Sequence, residues 1–173
     1  MKIYTIGHST RELEEFVEIL KAYGIELLAD VRSVPRSRHT PQFNEDVLAE
    51  KLPAAGIGYT HLARLGGLRH THKDSVNLGW HNLSFRGYAD YMQTEGFEAG
   101  LGELLKLAED KTVAIMCAEA VPWRCHRSLI GDALLVRGVK VVDIFDENKI
   151  QDEVLTDFAQ VAGTAVTYPS ADS

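Results

Sequence analysis

Cysteine is scarce, with two in 173 residues, and that excludes a small scaffold stapled by disulfides. Long apolar runs are missing as well. Leu134-Leu135-Val136 and Val139 to Ile144 are short, and Arg137, Lys140 and Asp143 interrupt them, so no helix of the roughly 20 apolar residues that span a bilayer is expected and no membrane partner is foreseen. The opening Met-Lys-Ile-Tyr-Thr-Ile-Gly-His-Ser is too polar for a signal peptide. Together with the two thiols it points to the reducing cytoplasm. Internal repeats, linkers and low-complexity segments are lacking too. What is present, 45% hydrophobic and 25% charged residues, suits one globular domain over residues 1–173, with 163–173 expected as a partly flexible tail.

Positive charge is in short supply overall, and the net charge of −7 argues against broad adhesion to nucleic acid or anionic lipid. Its distribution is uneven. Between residues 31 and 89 eight basic side chains face four acids, a local +4 that leaves −11 for the rest, and five of the seven histidines fall in the same stretch. An acidic protein that gathers its arginines this way is expected to place them around an anion.

Hydrophobic periodicity gives the fold. Lys2 to Ile6 reads as a strand, and Ser9 followed by Glu12 is a capping-box signature for a helix facing inward through Leu13, Phe16, Val17 and Leu20. Further strands are expected at 25–31, 58–62, 112–117 and 139–145, with a short one at 165–168. Helices are expected after Asn44, over 88–108 with breaks at its glycines, and over 125–137. Residues 146–162 read as a loop plus a helix. Strands alternating with helices predict a three-layer single α/β domain with a mainly parallel β-sheet. The irregular stretch 63–86 is long enough to serve as a functional loop or a lid.

In such sheets ligands bind beyond the carboxyl ends of the strands. The chemically rich residues fall there. The segment Met116-Cys117-Ala118-Glu119-Ala120-Val121-Pro122-Trp123-Arg124-Cys125-His126-Arg127 joins a buried strand to a helix, where helix N–H groups and guanidinium forks favour an anion and depress a thiol pKa. Cys117 and Cys125 are the candidate nucleophiles, with His8 and Glu119 as acid/base groups. Arg32, Arg36, Arg38, Arg69, Arg124, His126 and Arg127 are the candidate anion binders. A cysteine-phosphatase loop carries arginine six residues after its cysteine, whereas here Trp123 stands in that place and Arg124 one further on. The gap between the two cysteines is longer than in structural zinc sites, so no metal site is assigned, and the sequence names no cofactor.

The ordered motifs Thr5-Ile6-Gly7-His8-Ser9, Asp30-Val31-Arg32 with Pro35 and Ser37, Leu65-Gly66-Gly67, Phe85-Arg86-Gly87-Tyr88-Ala89, and Met116-Cys117-Ala118-Glu119 with Cys125-His126-Arg127 resemble domain-of-unknown-function family 488 (DUF488). The resemblance implies a compact α/β protein of prokaryotic type and brings no reaction with it. The residues themselves support an enzyme acting on a phosphate-bearing or otherwise anionic substrate, a nucleotide or nucleic-acid component among them. A nucleic-acid or nucleotide binding module without turnover and a metal-binding or thiol redox protein are the alternatives.

Overall fold

The computed structural model describes residues 1–171. Its centre is a six-stranded sheet of order β3-β2-β4-β1-β5-β6, built from β1 (Lys2–Gly7), β2 (Leu27–Asp30), β3 (Gly58–His61), β4 (Val113–Cys117), β5 (Lys140–Asp146) and β6 (Lys149–Asp152). The first five strands run parallel and β6 is antiparallel to β5. Helices α1 (Leu13–Ala22) and α2 (Glu45–Ala54) cover one face through Phe16, Leu20, Leu48 and Leu52. Helices α3 (Leu83–Tyr91), α4 (Glu95–Asp110) and α5 (Arg127–Leu135) cover the other through Tyr88, Leu101, Leu104 and Ile130. Burial on both faces explains why β4 is apolar throughout rather than alternating.

This connectivity fixes the site. The chain leaves β1 and β2 toward the layer of α1 and α2, but it leaves β4 toward the layer of α5. The carboxyl end of β4 is therefore flanked on both sides by loops that depart in the opposite direction, which opens a crevice there. Gly7, Asp30 and Cys117 end the three strands concerned.

Several local expectations change. The capping box does not form. Ser9 adopts a left-handed φ of 52°, its N–H donates to Ala118 O at 2.9 Å, and α1 starts only after Glu12. Asn44 precedes α2, yet its Oδ1 accepts from Ser37 N at 2.8 Å instead of capping. The helix expected over 88–108 is two helices, divided where Thr94 caps α4 by accepting from Phe97 N rather than at a glycine. The helix expected within 146–162 is absent. An Asx turn, with Asn148 N donating to Asp146 Oδ1 at 2.7 Å, reverses the chain so that β6 pairs with the otherwise open edge of β5. Residues 160–162 form β7, paired with β8 (Ala165–Thr167) in a hairpin outside the main sheet. Beyond it Tyr168 is fully buried and its hydroxyl donates to Asp132 at 2.7 Å. The end of the expected tail, residues 172–173, lies outside the described residues.

The long loop is pinned by one carboxylate. Buried Asp90 accepts from Thr71 Oγ1 (3.1 Å), His72 N (2.9 Å), Ser75 Oγ (2.6 Å) and Asn77 Nδ2 (2.7 Å). Burial pushes the Asp90 carboxyl up, but these hydrogen bonds outweigh it and hold the group below the usual carboxylate range. Its stabilisation is therefore complete above the unfolded value of about 3.9 and is lost as pH falls below that. Asp90→Asn, which sets an amide donor against these donors, is expected to lose about 2–3 kcal/mol at pH 7 and to speed amide exchange at His72 and Asn77. Near pH 3 the gap between variant and native protein narrows. Unchanged exchange at both amides would show that the loop is held by something else.

Candidate active site

Cys117 is the last residue of β4 and 2% exposed. After it the chain makes a short 3-10 turn, Pro122–Arg124, passes through extended Cys125 and enters α5 at Arg127. The end of β1 lies against this loop. His8 N donates to Cys117 O and Ser9 N to Ala118 O, both at 2.9 Å. Gly7 is required at that approach because a Cβ there would overlap the carbonyl of Glu119.

Arg127 is fully buried beneath the loop. Its Nε donates to Cys117 Sγ at 3.1 Å, Nη1 to Thr5 Oγ1 at 2.7 Å, and Nη2 to Glu119 O at 2.9 Å and Ala120 O at 3.2 Å. Thr5 Oγ1 in turn donates to Asp143 Oδ1. Among the described residues no carboxylate lies within ion-pair distance of Arg127. A guanidinium cannot shed its charge, and an uncompensated buried cation costs several kcal/mol. The directly bonded group able to supply a negative charge is the Cys117 sulfur.

The two thiols divide accordingly. Burial pushes the Cys117 thiol up, but a hydrogen bond from Cys125, the Arg127 charge and a backbone hydrogen bond at Glu119 outweigh it, and the net displacement is downward. The hydrogen bond to Cys117 pushes Cys125 up, and burial adds to that. Of the pair, Cys117 is thus the thiol displaced toward ionisation and Cys125 the one displaced away from it. His126 Nε2 donates to Val31 O at 2.8 Å and Nδ1 lies 3.5 Å from Cys125 Sγ. Burial lowers this imidazole to about 4, so it is neutral at pH 7 with Nδ1 as an acceptor. Gly67 packs flat against the ring, leaving no room for a Cβ.

Above these groups opens a cavity of about 350 Å³, lined by Arg32, Ser33, Val34, Leu68, Phe85 and Arg124 around Cys117, Cys125 and His126. Arg124 is exposed and makes no side-chain bond within the described residues. Arg32 is held by Asp30, Nε to Oδ1 at 2.9 Å and Nη2 to Oδ2 at 2.7 Å, while Nη2 also donates to Phe43 O. Only its Nη1 points elsewhere, 3.3 Å from His8 Nε2.

The other candidates stand apart. His8 is buried, stacks on Phe43 at 4.4 Å, donates Nδ1–H to Ser9 O at 2.7 Å and is lowered by burial to about 4. It does not line the cavity. Arg36 and Arg38 are exposed outside it. Arg69 braces the long loop, donating to Gly66 O at 3.1 Å and lying 3.6 Å over the Tyr91 ring. Glu119 contributes its backbone carbonyl to Arg127 while its side chain is exposed. Among the described residues no group of three or more His, Cys, Asp or Glu is placed to hold a metal ion.

Domain of unknown function DUF488 matches residues 12–134. The chain belongs to this family. The DUF488 span contains Asp30, Arg32, Gly67 and the whole Cys117-to-Arg127 loop. Thr5, Gly7 and Asp143, which complete the Arg127 network, lie outside it. No curated protein and no solved structure matches the chain.

Proposed function

We propose that the protein is an enzyme whose Cys117 thiolate attacks an electrophilic centre of a small anionic substrate seated in the cavity. The observation that carries this is the fully buried Arg127, which among the described residues has no carboxylate within ion-pair distance and donates Nε to Cys117 Sγ. A thiolate held by a fixed cation at a switch-point crevice is the arrangement nucleophilic cysteine chemistry needs. Val34, Leu68 and Phe85 would hold the apolar part of the substrate, and Arg124 its charge. Such a site works where thiols stay reduced, in keeping with a cytoplasmic setting.

The phosphate version of this reading puts anion recognition on Arg124, since the donors of Arg127 already serve Cys117, Thr5 and two carbonyls and those of Arg32 serve Asp30, Phe43 O and His8. A binding-only nucleic-acid module would need its cations free on one face. Arg32, Arg69 and Arg127 are instead bonded inside the protein.

Alkylation tests the reading. Neutral iodoacetamide and anionic iodoacetate are each reacted from pH 5.5 to 9.5 at low and high salt, with the modified cysteine mapped by mass spectrometry. Cys117 is expected to titrate well below the ordinary thiol value of about 8.5. Iodoacetate should be favoured at low salt, and Arg124→Ala should abolish that preference. A Cys117 midpoint at or above 8.5 overturns the proposal.

A further inference from the structure

Two reduced cysteines line one cavity, and the charge of one residue acts on both. Arg127 donates Nε to Cys117 Sγ at 3.1 Å, and its guanidinium favours ionisation of Cys125 as well. The two thiols are near enough to shift each other's ionisation, Cys117 downward and Cys125 upward. On the far side of Cys125 stands His126 Nδ1 at 3.5 Å, and its tautomer is set by the Nε2–H···O bond to Val31. The second thiol therefore has a thiol neighbour on one side and a hydrogen-bonding imidazole on the other. A solitary nucleophilic cysteine requires neither.

We propose that Cys117 and Cys125 are the attacking and resolving thiols of a thiol–disulfide exchange on small anionic organic disulfides. This rests on the thiolate reading above and names sulfur as its electrophilic centre. In the first step the Cys117 thiolate forms a bond to one sulfur of R–S–S–R, the S–S bond of the substrate breaks, and RS⁻ leaves with the electron pair. In the second, Cys125 releases its proton to solvent or to the departing thiolate and its sulfur attacks Cys117 Sγ, expelling the second RS⁻ and leaving a Cys117–Cys125 disulfide. An external dithiol reductant returns the site to two thiols, supplying two electrons and two protons and becoming a disulfide itself. Arg124 and the apolar wall of Val34, Leu68 and Phe85 select an anionic, partly apolar R group.

The test uses the dithiobis(nitrobenzoate) dianion, whose released thiolate is coloured, on the reduced full chain at pH 7. The native protein is expected to release two thiolates per chain, to carry no adduct and to become lighter by two hydrogen atoms. Dithiothreitol should restore the original mass. Cys125→Ser should release one thiolate and retain the adduct on Cys117. Native protein that keeps a stable adduct on Cys117, or adducts on both cysteines, overturns the proposal, and that measurement needs no variant. The two readings fail separately. Ordinary alkylation behaviour at Cys117 removes the thiolate itself, whereas a fast-reacting Cys117 with a persistent adduct removes only the resolving role of Cys125.

Discussion

Arg127→Ala is expected to destabilise the protein by about 3–5 kcal/mol and to return Cys117 to the reactivity of an ordinary thiol. The side chain is fully buried, and its loss strips hydrogen-bond donors from Cys117, Thr5, Glu119 O and Ala120 O at once. Each acceptor left dry costs about 1–3 kcal/mol, and the cavity adds to that, while relief of guanidinium desolvation offsets part. Thr5 would remain bonded to Asp143, so β1 keeps one anchor and the loop after Cys117 takes most of the damage. Arg127→Lys separates charge from geometry. A lysine places one cation near the sulfur but cannot reach Thr5 and two carbonyls together, and a buried ammonium is able to release its proton instead of enforcing a thiolate. Urea unfolding should rank native above Lys above Ala, and the iodoacetamide midpoint of Cys117 should rise in both variants. A native-like midpoint in Arg127→Lys would show that any nearby cation suffices, and one in Arg127→Ala would remove Arg127 from the account of the thiolate.

The inner strands β1, β2, β4 and β5 were legible because they are short, mostly apolar runs bounded by polar turns, and burial on both faces leaves them no alternation to misread, whereas the edge strand β3 is half-buried and polar. The Cys117-to-Arg127 loop was legible for the same reason, since it carries two thiols, a histidine and two arginines directly after such a run. The roles within it were not legible. Arg127 resembles an anion binder in one dimension, but Thr5, distant and unremarkable in sequence, takes up one of its donors, whereas the pairing of Arg32 with Asp30 two residues before it could be read from the chain. His8 looks like a base at a strand end and is instead a neutral strut between Phe43 and Arg32. Asp143 was visible only as an interruption of an apolar strand. A carboxylate within a strand otherwise buried is itself a signal, because its desolvation must be met by a partner, here Thr5 and through it Arg127. The helix expected within 146–162 failed on a tertiary ground, the free edge of β5, that local periodicity cannot report.

Glu153 carries the second large effect, and its sign is opposite. The residue follows β6, and its side chain presses against Gly131 so closely that no Cβ fits there. Both carboxyl oxygens are buried without a hydrogen-bond partner among the described residues. Burial first, then the charges of Asp143 and Asp132, push the group up to about 9, against the pull of Arg127. At pH 7 the folded protein thus holds a proton that the unfolded chain has released. The contribution of this group is fully present below about 4.3 and is lost as pH rises toward 9, at about 1.4 kcal/mol per pH unit for one proton. Glu153→Gln keeps the shape and stays neutral at every pH. It is expected to stabilise the protein by about 3–4 kcal/mol at pH 7, by more at pH 8.5 and by nothing at pH 4. Urea unfolding across that range checks it, and a difference that does not change with pH would mean that Glu153 is ionised in the folded state. The consequence reaches the site. A neutral Glu153 offers no anion to Arg127, so on the proposed function the Cys117 thiolate remains its directly bonded countercharge. The variant should therefore gain stability while leaving the alkylation midpoint of Cys117 where it is in the native protein. A midpoint that moved with Glu153→Gln would place the carboxylate among the charges that set the thiol.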